Sequence, residues 1–210
     1  MQLWKCERGT LWALDAEEQL PPLCSARVQA EFAEMRAEQL AELAGAMDLP
    51  DPGLIQERLQ SGRRAFILRA TGQIAAYGWV TRGVECVGEL ERQFHLRDDE
   101  AYIWDCGTVA AWRGQRFYSA LLSQMIRELF HEDTRRIWIG ASRHNQASIS
   151  GIANAGFKHV VDLTYWRAWC LTVMWFSQGA TTQSSLLAAA YHILLSVHER
   201  RFGRLVLGYK

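Results

Sequence analysis

The sequence has no paired-cysteine motif, no excess of either charge, few lysines and no apolar run long enough to span a bilayer. Each absence closes a class of function. The five cysteines (Cys6, Cys24, Cys86, Cys106 and Cys170) are odd in number and scattered, with no C-x-x-C and no His/Cys set at zinc-ligand spacing. That argues against a disulfide scaffold and a structural metal, and fits a reducing cytoplasm. Basic and acidic residues number 23 each, giving a formal net charge of +0. Nucleic-acid binders carry a basic excess, so no nucleic-acid partner is expected. Lysine occurs only as Lys5, Lys158 and Lys210, and the arginine skew that results assigns no function. The opening run MQLWKCERGTLWALDAEEQL has charges throughout and no apolar h-region, unlike a signal peptide. CLTVMWF (170–176) and LLAAAYHILLSV (186–197) both fall short of the ~20 residues that cross a bilayer. A soluble, cytoplasmic protein with no transmembrane segment is the expectation. There is no G-x-S-x-G, H-E-x-x-H or Walker loop, which removes hydrolase, zinc-protease and nucleotidase readings.

What is present reads as one globular domain with a modest appendage: 210 residues, 49% hydrophobic and 22% charged, with nine tryptophans that promise a large aromatic core or a deep pocket. Residues 1–13 read as a short strand or a hairpin turning at Gly9. Val28, Phe32, Met35, Leu40, Leu43 and Met47 recur at helical spacing, so a helix is expected after Leu23, ended by Pro50 and Pro52 and followed by a short helix over 53–59. Strands are expected at 65–70 and 73–81 around the turn Thr71-Gly72, with a further strand-like piece at 84–94. The centre reads as strand 101–108, a sharp turn, a helix over 116–131 with a continuous i, i+4 apolar stripe, and a buried strand 135–142. Asn145 is placed to cap a helix over 146–154, Gly156 to end it, and a last strand runs from Phe157 to about Trp169. A meander followed by strand–helix–strand–helix–strand predicts an α/β (mixed α+β) fold, with strands 101–108 and 135–142 as parallel neighbours.

The run TVAAWRGQRFYSALLSQMI, then RRIWIGAS, then N-x-x-S-I-x-x-I-x-x-A-G-F (Asn145 to Phe157) resembles the acyl-CoA-binding core of the GNAT N-acetyltransferase family, specifically over 65–170. The resemblance implies a central mixed sheet with splayed central strands and helices on both faces. It also implies an acyltransferase domain over 1–170, leaving 171–210 as an apolar extension packed on the domain or a partner. The family's diphosphate loop, Arg/Gln-x-x-Gly-x-Gly/Ala, matches Arg113-Gly114-Gln115-Arg116-Phe117-Tyr118, with Arg116 and Tyr118 at the two small positions. A strand feeding a helix leaves the first-turn N–H groups and the positive end of the helix dipole free for an anion. Gly114 lets backbone approach it, and Arg116 adds a fork for phosphate oxygens. The resemblance further implies that Cys106, Gly107 and Thr108 pair with the pantetheine arm, and that Asn145, with Ser148 nearby, faces it. The family often has a Tyr seven residues after that Asn, as acid to the departing thiolate. Here that position is Ile152, so another hydroxyl (Tyr118, Tyr165 or Ser148) takes the role, or the thiolate leaves unassisted.

The acceptor amine must be neutral to attack, which requires a base in reach. The candidates are Asp105 in YIWDC, expected to be perturbed by an apolar strand, and Glu89 with Glu91 in VGELERQF. Asp105 paired with a nearby Arg is the equally weighted structural alternative. His144 reads as a solvated loop residue and Cys106 as an inert strand thiol. On the tail helix, Ser185, His192 and Ser196 form a narrow polar stripe. Its apolar remainder predicts packing on the domain or a homodimer partner, or a pocket for a greasy acyl chain. The expectation is therefore an N-acyltransferase using acetyl-CoA, or another acyl-CoA, on a small-molecule or peptide amine. A long-acyl enzyme with CoA or carrier-protein donors, and a non-catalytic acyl-CoA-binding module, are the alternatives.

Overall fold

The computed structural model describes residues 5–87, 92–168, 171–180, 183–195 and 204–209. Alternation of apolar and polar residues builds most of one nine-stranded sheet. Its first strand, β1 (Lys5–Asp15), runs through Gly9 without turning, so of the two expectations, strand or hairpin, the strand is the one found. β1 lies between β8 (Arg136–Ser142) and β9 (Lys158–Ala168), antiparallel to both. Bonded on both edges, it has no reason to fold back at its glycine. Beyond β9 come β10 (Leu171–Gln178) and β11 (Arg204–Tyr209). Beyond β8 come β7 (Glu100–Thr108), β4 (Gln73–Thr81), β3 (Arg64–Ala70) and the edge strand β2 (Glu31–Glu34). The Thr71-Gly72 turn joins β3 to β4 as expected, with both residues at positive φ. β7 and β8 are parallel. The 84–94 piece divides into a separate hairpin, β5 (Val84–Val87) and β6 (Arg92–His95).

The helix expected after Leu23 starts later. Only α1 (Leu40–Ala46), preceded by a 3₁₀ turn at Ala37–Gln39, is helical before α2 (Gly53–Gln60). Residues 20–30 form a strap without regular structure and 31–34 are strand. The apolar spacing explains the difference: Ala26, Val28, Ala30 and Phe32 also alternate with period two, and all four pack against the core beneath α3 (Phe117–His131). Phe32 stacks on Phe66 with ring centroids 5.4 Å apart. The strap is tied down by the Arg27 N–H to the Gln115 carbonyl at 2.9 Å and by Arg127 to the Pro21 carbonyl at 2.8 Å.

Helices cover both faces. α3 and α4 (Gln146–Asn154) bury Leu121, Met125, Leu129 and Ile152 against one face of the sheet. On the other face α1 and α2 cover Ile67 and Trp79, while α5 (Ser184–Leu195) covers Val160, Met174 and Phe176. The apolar face of α5 (Leu186, Ala189, Ala190, Ile193, Leu194) is thus buried within this chain. No helix among the described residues is long and apolar enough to cross a membrane.

At one end β1, β7 and β8 are held by a buried arginine. Arg136 donates Nε to Asp15 at 2.5 Å and approaches Glu100 at 3.4 Å, over the Trp138 ring. Removing one member of a buried ion pair leaves uncompensated charge and costs about 3–5 kcal/mol. Arg136→Ala is therefore expected to lower unfolding free energy by about 3 kcal/mol, read as a lower urea midpoint at unchanged m-value. An unchanged midpoint would show that the clamp carries no stability.

Candidate active site

Pairing between β7 and β8 runs from Glu100/Arg136 to Ile103/Ile139 and then stops. Past that point β7 follows β4, with Gly107 opposite Tyr77 and Thr108 opposite Ala76, while β8 follows β1. Among the described residues, the β7 edge that faces β8 is left without a strand beside it over Cys106–Thr108.

A bulge sits at the fork. Between the pairs Tyr77/Gly107 and Trp79/Trp104, one β4 residue, Gly78, lies opposite two on β7, Asp105 and Cys106, and Asp105 has φ +43°. Asp is among the few non-glycine residues that adopt the left-handed region readily. The extra residue reverses side-chain parity. Ala101 and Ile103 face α3, and Tyr102 and Trp104 face the opposite side. Regular alternation would send Asp105 towards α3; instead it joins Tyr102 and Trp104, and Cys106 packs in the core under α3.

Two clefts therefore meet at adjacent residues of one strand. The cleft on the α3 side, about 660 Å³, is lined by Tyr77, Cys106–Thr108, Arg113, Gly114, Arg116, Phe117, Tyr118, Asn145 and Ser148, with further residues of α4. Of the cofactor-site residues expected from sequence, only Gln115 lies outside this lining, its carbonyl taken by the strap. The turn into α3 places Gly114 at φ +77° and Arg116, the N-cap residue, at φ +65°. Among the described residues no side chain caps α3, so its first N–H groups are open to the cleft. Arg113 and Arg116 are exposed and form no ion pair among the described residues. Arg113 reaches only the Thr108 carbonyl, at 3.4 Å. Uncapped N–H groups, glycine backbone and two unspent guanidinium groups fit a diphosphate. Asn145 caps α4 as expected, accepting from the Ser148 N–H at 3.0 Å.

Tyr118 leans across from α3 to α4, where the Ser148 hydroxyl reaches its phenolic oxygen at 3.5 Å. A Cβ on Gly151 would overlap its ring, so a glycine in α4 seats a tyrosine from α3. Burial, then the adjacent Cys106, pushes the Tyr118 hydroxyl up, so it stays protonated at neutral pH. Burial, then the charge of Asp105, likewise keeps Cys106 a thiol. Ile152 is fully buried in the core.

The opposite cleft, about 520 Å³, is lined by β1 and by β5 to β9, with Asp105 on its wall. Asp105 is exposed rather than buried in an apolar strand, which corrects the sequence expectation, and Arg58 of α2 holds its Oδ2 at 2.6 Å. The Arg58 guanidinium lies against the rings of Trp79 (5.0 Å) and Trp104 (4.7 Å). Asp105 Oδ1 has no partner among the described residues. Glu85, in the same wall and absent from the sequence reading, is fully engaged by Arg63, Thr81 and the Cys86 N–H. Nothing in the local sequence marks Arg58, Glu85 or the β1 residues of this wall, because strands distant in sequence bring them together. Glu89 and Glu91 lie outside the described residues. Buried side chains of α5 line neither cleft.

The chain matches the Acetyltransferase (GNAT) family profile over residues 30–157. No curated protein matches it. Among solved structures it is similar to a GNAT-family acetyltransferase from Colwellia psychrerythraea, with TM-score 0.54 and 15% identity over 74% of this chain and 53% of that one. An N-acetyltransferase from Sphaerobacter thermophilus gives TM-score 0.55 at 11% identity, over 79% and 53%. The ribosomal-protein-S18-alanine N-acetyltransferase of Escherichia coli gives 0.50 at 16%, over 62% and 78%. The matched part spans about half the length of the Colwellia and Sphaerobacter chains.

Because the left-handed residue at the fork costs a residue with a Cβ roughly 1–2 kcal/mol, Asp105→Gly is expected to unfold at higher urea than Asp105→Ala, by about 1 kcal/mol. Both variants lose the ion pair to Arg58, so the difference isolates the backbone. Equal stability would mean that the bulge is not enforced.

Proposed function

Because the chain belongs to the GNAT acetyltransferase family, we propose that it transfers an acyl group, most simply acetyl from acetyl-CoA, to a primary amine by direct attack. The observation that carries the reading is the fork itself: a phosphate-suited cleft and a carboxylate-bearing cleft open on opposite sides of one strand and meet between Asp105 and Cys106. Arg113, Gly114, Arg116 and the N–H groups of Phe117 and Tyr118 hold the diphosphate. The unpaired edge at Cys106–Thr108 receives the extended pantetheine as an added strand, with Asn145 and Ser148 on the opposite wall. Acetyl-CoA supplies a thioester carbonyl for the amine to attack and a thiolate to leave.

The residues do the rest. Asp105 Oδ1 takes a proton from the entering ammonium, directly or through one water, while Arg58 fixes the carboxylate. Backbone N–H groups at Cys106–Thr108 stabilise negative charge on the carbonyl oxygen. The Tyr118 hydroxyl, protonated and seated on Gly151, donates to the departing sulfur in place of the missing acid at Ile152.

Calorimetry with acetyl-CoA is expected to show binding that weakens about 10- to 100-fold or more in Arg113→Ala/Arg116→Ala, since charge-assisted hydrogen bonds contribute about 1.5–3 kcal/mol each. No binding of any CoA species to the wild type would remove the assignment. Tyr118→Phe is expected to keep acetyl-CoA affinity and lower kcat about 100-fold, the lower end of general-acid contributions. An unchanged kcat would show that the thiolate leaves unassisted.

A further inference from the structure

The cleft on the Asp105 side has a composition that selects its occupant. Its floor and walls are apolar and aromatic: Phe94, Tyr102, Leu163 and Tyr165 are all buried, and Trp104 closes the side nearest the fork. Phe94 meets Tyr102 edge-on with centroids 5.5 Å apart, bringing the β5–β6 hairpin onto β7 as one continuous aromatic wall. At about 520 Å³ the space suits a single small molecule.

The charges in this cleft are nearly all committed. Both Glu85 oxygens are bound to Arg63, and Thr81 and the Cys86 N–H add to them. Arg58 occupies one Asp105 oxygen, and its seat against two indole rings leaves it little freedom to turn away. Glu7 on β1 is itself engaged, and its neighbour Arg8 is exposed. One carboxylate oxygen at the fork is therefore the cleft's unspent anionic acceptor, among the described residues. An acceptor with several ammonium groups would bury charges here without partners, at a high desolvation cost. One ammonium on an apolar body would be matched at both ends.

We infer that the acceptor is a monoamine bearing an aromatic or bulky apolar body, its nitrogen at Asp105 Oδ1 and its body against Phe94, Tyr102 and Trp104. The inference rests on the acyltransferase reading for the transfer step, but the selectivity of the cleft can be read without it. The ammonium loses one proton to Asp105 and its lone pair forms the C–N bond; the C–S bond then breaks, the sulfur takes the Tyr118 proton to give the free thiol, and the second proton leaving the nitrogen restores Tyr118.

The test has a binding arm and a turnover arm. Tryptamine and phenethylamine would be titrated calorimetrically into the protein beside ethanolamine, spermidine and kanamycin, and all five assayed with acetyl-CoA by release of free thiol. The aromatic monoamines are expected to bind at least about tenfold tighter than the polar and polycationic amines, a gap of about 1.4 kcal/mol. Asp105→Asn should weaken them about 10- to 100-fold, the value of one charge-assisted hydrogen bond, while melting temperature and acetyl-CoA affinity stay unchanged. Equal or tighter binding of spermidine or kanamycin, or no binding of the aromatic amines, would overturn the inference and leave acetyl-CoA binding to support the family reaction. Aromatic-amine binding that depends on Asp105 without thiol release would uphold the cleft assignment and remove the acyltransferase reading.

Discussion

One extra residue in β7 decides what the two sides of the fork can do. A regular strand would send Asp105 towards α3, into the core that holds Cys106. The left-handed turn at Asp105 shifts the alternation by one, so the carboxylate faces one cleft and the thiol the other. The same bulge makes the local conformation unsuited to most side chains, and aspartate is both tolerated there and chemically useful. Under the proposed reaction, backbone geometry and acid–base chemistry place the same demand on one position.

The fork needs an opposite, closed end, and Arg136 supplies it. With Asp15 on β1 and Glu100 on β7 gathered around one guanidinium, β7 and β8 start in register and separate only after four paired positions, while β8 stays paired with β1. Zipped at one end and open at the other, β7 and β8 form a V whose mouth is flanked by the uncapped start of α3 and by α4. Tyr118 bridges those two helices, and its ring fits only because α4 offers Gly151 beneath it. The large residue at a position where the family pattern has a small one is thus matched by a glycine in the facing helix.

Much of this was legible in the sequence, and the failures have specific causes. The β3–β4 hairpin, the apolar stripe of α3, the Asn145 cap and the parallel β7–β8 pair follow from periodicity and local chemistry, which act over a few residues. The stretch 26–35 satisfied two periods at once, and contact with Phe66 and the α3 core chose the extended one. Gly9 looked like a turn because its two flanking strands, β8 and β9, are far away in sequence. Arg58 and Glu85 left no local mark, since their roles exist only once α2 and β5 are packed against β7. The arginine skew had no reading from composition, yet its use is visible in forks: Arg63 grips Glu85 and Arg64 grips both Glu34 and Glu132, each through more than one nitrogen.

The position of β1 bears on how the molecule comes into being. Its side-chain bond from Thr10 to the Ala141 carbonyl spans 131 residues, and both of its edges are bonded to strands that begin only at Arg136 and Lys158. During synthesis this strand is made well before either of its neighbours and keeps two open edges until residues 136–168 arrive. Non-local pairing of this kind slows folding and exposes sticky surface during synthesis. The β3–β4 hairpin and α3, whose contacts are short-range, can form meanwhile. The sheet is then joined through its middle when β1 slots between β8 and β9, so its two halves become one only after β9 has been made.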